Sequence, residues 1–341
     1  MSKSILEKKK ILYIGVKFYH YHLEIVQKLT NDYGASVTFF PERDTSIKYG
    51  IVNRLLPSYL ERYQELHYKK ILKQIKNQKF DYLLVIRGFK MPLWFVKKIK
   101  LHNPNIKTIN YQWDSNTNSP FVNLDPRFNI LPEFDAKISF DYKDVKDFEE
   151  LTYGPTFYTD EIRQIGLKKK PILPEYDLFY FGSYLPERYK GLLNFINYAA
   201  ENNYKLKTYF YMPIRYYLIE RLKGVKIDRS LIKLKPMNRA EYLKLFEQSK
   251  AIVDVSNEKQ SGMAMRVIDA LGSGKKVITT NNWIMHDEVY DSRQVHVIDV
   301  HQIEIPSDFL RDEHIYPPKE QFTLDNWINR IFIDCFNSKS L

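Results

Sequence analysis

A glycine is followed six residues later by an arginine, directly after a short aromatic run in the second half of the chain. The segment reads Phe-Gly-Ser-Tyr-Leu-Pro-Glu-Arg-Tyr-Lys: Gly182 and Ser183 lie in a predicted turn, and Arg188 and Lys190 lie near the start of the next helix. Glycine permits a tight turn, and arginine is well shaped for two-point contact with a phosphate. The pattern predicts a diphosphate site. The same residues are also compatible with a turn glycine and two solvated basic side chains that bind no ligand.

A second anion-binding pattern occupies residues 250–281. A β-branched run ends at Val255, and Ser261 and Gly262 then precede a helical pattern that contains Asp269. We expect Ser261 to cap this helix, whose first amide groups would attract an anion. Asp269, two turns inside the helix, offers a carboxylate to a polar group such as a ribose hydroxyl. Strand-helix-strand units are common and most bind nothing, so this pattern alone does not decide the matter.

Histidines and acids follow predicted strands in the first half of the chain. His20 and His22 follow the first strand, and either could be a general base. Asp114 follows a later strand, beside Trp113, and suits a base or a substrate-hydroxyl role. A loop histidine is more often a polar surface residue, and an aspartate here can equally form an Asx turn or cap a helix. Asp141, after a further strand, has the same two interpretations.

Several other chemistries lack support in the sequence. No Ser-His-Asp order, His-Glu-x-x-His motif or EF-hand pattern occurs, and the basic residues form no nucleic-acid-binding motif. The single cysteine, Cys335, excludes an internal disulfide and a cysteine-based zinc site. We therefore expect no metal site, no cofactor and no nucleic-acid partner.

Charge and length limit the class of protein. The 341 residues include 52 Lys and Arg against 41 Asp and Glu, a net charge of +11. This excess favours a phosphorylated ligand, a polyanion or an anionic membrane face. No run of about 18 apolar residues and no signal-type apolar core occurs, so we expect a cytoplasmic protein. The length suffices for two domains.

The elements that must position these residues alternate between strands and helices. Predicted strands cover residues 9–15, 37–40, 81–87, 107–113, 134–140, 176–181, 205–211, 251–255, 277–279 and 295–300. Predicted helices cover residues 21–33, 57–78, 92–102, 143–151, 186–202, 239–248 and 323–336, together with the helix behind Ser261. This order predicts an α/β fold with parallel sheets and helices on both faces. Ligands then bind beyond the carboxyl ends of the strands.

The two series of elements predict two Rossmann-like domains that face a central cleft. We expect an N-terminal domain over residues 1–155 and a second domain over residues 176–320. Residues 152–175 contain Gly154, Pro155, Gly166, three consecutive lysines, Pro171 and Pro174, and have little periodicity. Residues 156–175 are therefore predicted to be a linker. Residues 321–341 form a predicted C-terminal helix.

At this point the residues resemble a known family. The pattern Gly262…Arg266…Asp269-Ala-Leu-Gly-Ser-Gly-Lys-Lys-Val-Ile-Thr, with the glycine turn at Gly182, resembles glycosyltransferases of the GT-B fold. The closest similarity is to enzymes of bacterial lipopolysaccharide or capsular polysaccharide biosynthesis. The Trp113-Asp114 pair and the segment 139–144 are also similar to residues in that family.

The resemblance implies a site for a nucleotide-diphosphate sugar in the second domain and an acceptor site in the first. Gly182 and Arg188 match a loop that contacts the diphosphate, and Ser261, Gly262 and Met263 match amides at a helix N-terminus that hold the distal phosphate. Asp269 matches the acid that binds the ribose. The family usually has Glu at this place and a second Glu eight residues earlier, where this chain has Ser261, with Glu258 nearby. The last helix of the fold typically crosses back to the N-terminal domain.

These observations predict a metal-independent hexosyltransferase that acts in cell-surface polysaccharide synthesis. Its expected partners are a nucleotide-sugar donor, a glycan or lipid-linked acceptor, and the anionic inner face of the plasma membrane. We assign donor binding to Gly182, Ser183, Arg188, Lys190, Ser261, Gly262, Met263, Arg266 and Asp269, and catalysis to His22, Asp114 and His20. The alternatives are a nucleotide-sugar epimerase of the same fold and a non-catalytic nucleotide- or polyanion-binding protein.

Overall fold

The computed structural model describes residues 5–17, 19–115, 129–168 and 173–337. The chain forms two compact units, each with its own sheet. Unit 1 comprises Met1–Pro155 and Leu324–Leu341, and unit 2 comprises Thr156–Thr323. We describe each unit by itself.

Unit 1 contains a parallel sheet in the order β2-β1-β3-β4-β5-β6. Its strands are β1 (Lys10–Gly15), β2 (Ser36–Pro41), β3 (Tyr82–Ile86), β4 (Lys107–Gln112), β5 (Ala136–Ser139) and β6 (Thr152–Tyr153). Its first helices are α1 (Tyr21–Asn31), α2 (Ile47–Leu55), α3 (Leu60–Gln74), α4 (Leu93–His102) and α5 (Tyr142–Asp147). The central strand β3 is buried along its whole length and is almost entirely apolar, because helices cover both faces of a parallel sheet.

Unit 2 has a second parallel sheet in the order β12-β11-β10-β7-β8-β9. Its strands are β7 (Tyr176–Ser183), β8 (Leu206–Tyr211), β9 (Ile232–Lys233), β10 (Ser249–Asp254), β11 (Lys276–Thr279) and β12 (Val295–Val297). Its helices are α6 (Asp160–Gly166), α7 (Pro186–Glu201), α8 (Ile214–Leu222), α9 (Arg239–Glu247) and α10 (Met265–Gly272). The strand order reverses between β7 and β10, and such a switch point is the usual ligand site of a doubly wound sheet.

The C-terminal segment belongs to unit 1, as predicted. It consists of α11 (Leu324–Asn329), a π-helical turn (Arg330–Asp334) and α12 (Cys335–Asn337). Trp327 is fully buried, and its ring centroid lies 5.1 Å from that of Tyr111 in β4. The Tyr33 hydroxyl donates to an Asp325 carboxylate oxygen at 3.2 Å. The α/β architecture with two Rossmann-like units and a returning C-terminal segment is therefore confirmed.

The start of α10 differs from the prediction. The helix begins at Met265 with Ala264 as its N-cap, so Ser261 does not cap it. The carbonyl groups of Ser261 and Gly262 instead accept hydrogen bonds from Asn281 Nδ2 at 2.8 and 3.3 Å. These bonds hold residues 261–262 against the segment that follows β11, outside the helix.

Residues 156–168 also differ from the predicted linker. They contain α6, and Phe157, Tyr158 and Ile162 are buried in unit 2. Tyr158 packs so closely on α10 that a Cβ atom at Gly272 would lie 2.2 Å from its ring. The prolines, glycines and lysines between residues 154 and 175 hid this packing from a search for periodicity. Residues 169–172 lie outside the described part of the chain.

Within the described residues, none of the helices has both the length and the apolar character that crossing a membrane requires.

Candidate functional site

An ion pair lies at the switch point of unit 2. Asp254, the last residue of β10, is fully buried and pairs with Arg266 of α10. Its carboxylate also accepts hydrogen bonds from the hydroxyl groups of Ser256 and, at 2.8 Å, Thr279. Burial alone would raise the pKa of Asp254, but the Arg266 charge and these two hydroxyls lower it. Asp254 is therefore ionised and fixes one guanidinium at the ends of β7 and β10.

A second arginine lies beside this pair. Arg188, in the first turn of α7, donates from Nε to the Val255 carbonyl at 3.0 Å and from Nη1 to the Ser183 carbonyl at 3.1 Å. Burial and the nearby Arg266 charge lower the pKa of Arg188. Among the residues that the structure describes, Asp254 is the one carboxylate paired with these two guanidinium groups, so this described cluster has a surplus of positive charge.

Gly182 keeps this place open. A Cβ atom at Gly182 would lie 2.6 Å from the Tyr180 hydroxyl, so a side chain here would displace that hydroxyl. Arg266 Nη2 would lie 3.4 Å from the same Cβ atom, which is close to an ordinary contact distance. The Tyr180 hydroxyl and Arg266 Nε are buried, and neither has a hydrogen-bond partner among the described residues. Buried polar atoms without partners are costly. A water or ligand oxygen at this place would lower that cost.

The N-terminus of α10 lies next to the cluster through Arg266. Its N-cap, Ala264, supplies no side-chain hydrogen bond. Helix N-termini carry partial positive charge and amide donors that usually need a cap. Met263, which precedes the helix, is buried and contributes apolar packing. An anion could therefore take the place of the missing cap.

Asp269 is buried deeper in the same helix. Only 1% of Asp269 is exposed, and its Oδ2 accepts a hydrogen bond from the Tyr242 hydroxyl at 2.8 Å. Its Oδ1 has no hydrogen-bond partner within the described residues. Burial raises the pKa of Asp269 to about 6, against the lowering effects of the Arg239 charge and the Tyr242 hydrogen bond. Oδ1 therefore has its full acceptor capacity left for a ligand hydroxyl.

Lys190 stands apart from the arginine cluster. It is exposed, and it follows Arg188 by two positions on α7. Residues two apart on a helix point to different sides, so Lys190 does not join the contacts that Arg188 makes.

Unit 1 has its own charged cluster beyond the ends of its central strands. Arg87, just after β3, pairs with the buried Glu42 and, through Nη1, with Asp114 Oδ2 at 2.8 Å. Glu42 Oε2 also accepts from the Phe89 amide at 2.8 Å. These two carboxylates raise the pKa of Arg87 although burial alone would lower it. The Asp114 side chain is 47% exposed, so it can meet a ligand while Arg87 holds it.

The two predicted histidines have different surroundings. His22 in α1 is 8% exposed, and its ring centroid lies 5.2 Å from that of Phe39. Burial and then the Lys17 charge lower the pKa of His22, so the ring is neutral at neutral pH. His20 occupies the N-cap position of α1 and stacks on Tyr21 at 4.6 Å.

The sequence reasoning missed four members of these clusters. They are Asp254, Tyr180, Glu42 and Arg87. An acid at the end of an otherwise apolar strand was the available signal for Asp254, because a buried carboxylate requires a partner. Arg87 likewise ends a strongly apolar predicted strand.

Comparison with known proteins supports the fold. No protein-family model matches the chain, and no curated protein is significantly similar to it in sequence. Solved structures do match. The lipopolysaccharide outer core galactosyltransferase WaaB is 12% identical with a TM-score of 0.51, over 97% of this chain and 99% of that one. An alpha-glucosyltransferase in complex with UDP and a 13-mer DNA is 12% identical with a TM-score of 0.56, over 97% and 94%.

A putative UDP-N-acetylglucosamine 2-epimerase from Listeria monocytogenes also matches, at 10% identity and a TM-score of 0.54. The match covers 96% of this chain and 97% of that one. The chain therefore has the two-domain Rossmann-like fold that GT-B glycosyltransferases share with such epimerases. At these identities the likeness concerns the fold.

Proposed function

We propose that the protein is a glycosyltransferase that binds a nucleoside-diphosphate sugar in unit 2 and transfers the sugar to a glycan or lipid-linked acceptor. The observation that carries this proposal is the pair Arg188 and Arg266 at the switch point of the second sheet, with Asp254 as the one carboxylate paired with them in the described part of the chain. A diphosphate would supply the negative charge that this cluster lacks.

The same groups would act on the reaction. When the bond between the sugar and the diphosphate breaks, negative charge grows on the leaving diphosphate. Arg188, the Arg266 guanidinium and the uncapped start of α10 are held in place before the reaction, so they stabilise that charge without reorganising. In this mechanism, side chains and a helix N-terminus neutralise the diphosphate, so it requires no metal.

The remaining contacts of the donor follow from the position of Asp269. Its Oδ1 has no partner within the described residues and suits a hydrogen bond from a ribose hydroxyl. The nucleoside would then lie towards α9, which carries Tyr242. Gly182 and Ser183 were predicted to lie in a turn, but they are the last two residues of strand β7. The diphosphate would approach the sheet at this end of the strand.

An acceptor hydroxyl needs a base, and unit 1 offers two candidates. Asp114 is the more accessible carboxylate, and Arg87 orients it. His22 is neutral and thus able to accept a proton, but it is largely buried. We assign the base role to Asp114 first and to His22 second.

Ligands in similar structures support the choice of donor. The alpha-glucosyltransferase structure contains UDP, and the UDP-GlcNAc 2-epimerase from Neisseria meningitidis, with a TM-score of 0.52, is bound to UDP-GlcNAc. The epimerases favour one alternative function, the rearrangement of a nucleotide sugar without an acceptor.

The test is a thermal-shift panel of nucleoside diphosphates and nucleotide sugars on the full chain, followed by turnover. The donor that stabilises the protein is incubated alone and with a mixture of glycan and lipid-linked acceptors. We expect release of nucleoside diphosphate only when an acceptor is present. A changed sugar without an acceptor would indicate an epimerase, and the absence of stabilisation by every nucleotide would refute the proposal.

A further inference from the structure

Helix α8 of unit 2 presents a line of aliphatic side chains to solvent. Ile214, Leu218 and Leu222 are 50%, 53% and 88% exposed. They are spaced by four residues, so they lie above one another on one face of the helix. Ile219, 37% exposed, borders this line. None of the nine residues of α8 is buried. We call the line of Ile214, Leu218 and Leu222 the apolar ridge.

The packed side of α8 is the more polar one. Tyr217 packs against the hydrophobic core of unit 2. The Glu220 side chain is only 14% exposed, and its Oε1 forms an ion pair with Lys223 Nζ at 2.8 Å. A surface helix normally turns its apolar face inward. In α8 the aliphatic side chains face solvent instead. Exposed apolar patches of this kind mark interaction surfaces.

The charges around the apolar ridge are almost all positive. Residues 213–226 contain four cations, Arg215, Arg221, Lys223 and Lys226, and one acid, Glu220. By helical spacing, Arg215 and Arg221 lie at the margins of the ridge. A ridge of aliphatic groups with cations beside it suits an anionic bilayer better than a protein surface of mixed charge.

We propose that α8 docks the protein on an anionic membrane surface. Ile214, Leu218 and Leu222 enter the interface between headgroups and acyl chains, and Arg215 and Arg221 contact lipid phosphates. Three partly exposed aliphatic side chains give weak, reversible binding, so the contact depends on both the apolar and the ionic part. The inference rests on α8 alone and does not require the proposed function.

The test is sedimentation of the full chain with vesicles of phosphatidylethanolamine and phosphatidylglycerol, compared with phosphatidylcholine alone. We expect binding to the anionic vesicles that weakens with added salt. The triple variant Ile214→Ser, Leu218→Ser, Leu222→Ser should bind at least about tenfold more weakly. The double variant Arg215→Gln, Arg221→Gln should lose roughly 25-fold at low salt.

Matched controls use exposed residues of unit 1. Leu101→Ser, in a side chain 83% exposed on α4, and Lys69→Gln with Lys73→Gln on α3 should leave vesicle binding unchanged. Circular dichroism verifies that the α8 variants are folded. The nucleotide thermal shift reports donor binding, so a failure of the proposed function is distinguished from a failure of membrane binding.

Two results would overturn the proposal. One is the absence of binding to anionic vesicles, or equal binding by the triple variant. The other is self-association of the wild-type chain in light scattering that the triple variant loses, without vesicle binding, which would assign the apolar ridge to a second copy of the chain.

Discussion

Arg188 and Arg266 carry like charges at a partly buried place, and this conflict is the main feature of the site at the scale of single residues. Arg266 is compensated by Asp254, whereas Arg188 donates, among the described residues, only to the carbonyl groups of Val255 and Ser183. A protein of marginal stability keeps such an arrangement where function requires it. The arrangement is consistent with an anion as the missing partner.

Asp269, which we propose to contact the donor, also makes the stability of the protein depend on pH. Burial raises its pKa from 3.8 to about 6, so the folded chain holds this proton more tightly than the unfolded chain does. The stabilising contribution is complete below about pH 4 and is lost as the pH rises through 6. Asp269→Asn should therefore raise the free energy of unfolding at pH 7.5 by roughly 2–3 kcal/mol, and change it little at pH 4.

Denaturant unfolding at several pH values measures this difference. As a control, Tyr242→Phe removes the hydrogen bond that lowers the pKa of Asp269 and should move the midpoint of the pH dependence upward. A gain for Asp269→Asn that is equal at pH 4 and 7.5 would show that Asp269 does not titrate in this range.

The sequence predicted some of these residues and missed their partners. Arg188 was placed after the correct strand because a basic residue near the start of a helix is a local signal, whereas Gly182, predicted to follow the strand, belongs to β7. The contacts of Arg266 with Asp254 and of Arg87 with Glu42 join residues 12 and 45 positions apart. Such pairings depend on strand order, which residue types alone do not specify.

Helix α10 shows at the scale of an element how packing fixes a boundary. It ends at Gly272, and Gly274 adopts a left-handed φ of 70° in the turn that follows. Gly272 is required for a different reason, since the ring of Tyr158 occupies the space of a side chain.

A pair of glycine-to-alanine substitutions separates packing from helix propensity. Gly272→Ala should destabilise the protein by about 2 kcal/mol or more, because its Cβ would lie 2.2 Å from Tyr158 Cδ1. Gly50→Ala in α2 should stabilise it by about 0.5–1 kcal/mol, because among the described residues nothing lies within 4 Å of the new Cβ. Thermal and denaturant unfolding measure both, and a destabilising Gly50→Ala would contradict the propensity argument.

Most strands and long helices follow from periodicity, and the exceptions have physical causes. Helices α2, α6 and α8 were missed. Helix α8 buries no residue, and α6 lies among the glycines, prolines and lysines of residues 156–175. The start of α10 was predicted wrongly because serine is a common N-cap residue. In the structure, the Asn281 side chain donates a hydrogen bond to the Ser261 carbonyl and holds Ser261 outside the helix.

At the scale of the whole molecule, the C-terminal segment is part of the first unit although it is last in the chain. Trp327 is fully buried there against Tyr111. Trp327→Ala should therefore lower the free energy of unfolding by about 3–5 kcal/mol. Trp94→Ala, in the same unit but only half-buried, should cost clearly less. Chemical unfolding of both variants compares them, and equal losses would show that the returning segment contributes little to unit 1.

The two-sheet topology was predictable because strands and helices alternate in both halves of the chain. The order of strands within each sheet was not, and it is this order that brings β7 next to β10 and creates the switch point. The residues at that point support the central claim, which is that unit 2 binds a nucleoside diphosphate through Arg188.

Calorimetric titration of the full chain with UDP and with uridine tests this claim most directly. We expect UDP to bind more tightly than uridine, and Arg188→Gln to weaken UDP binding by roughly 10- to 100-fold while uridine binding stays the same. Lys190→Gln, a change in an exposed cation two residues away, should leave both affinities unchanged. Equal affinity for UDP and uridine, or equal effects of the two substitutions, would contradict the account.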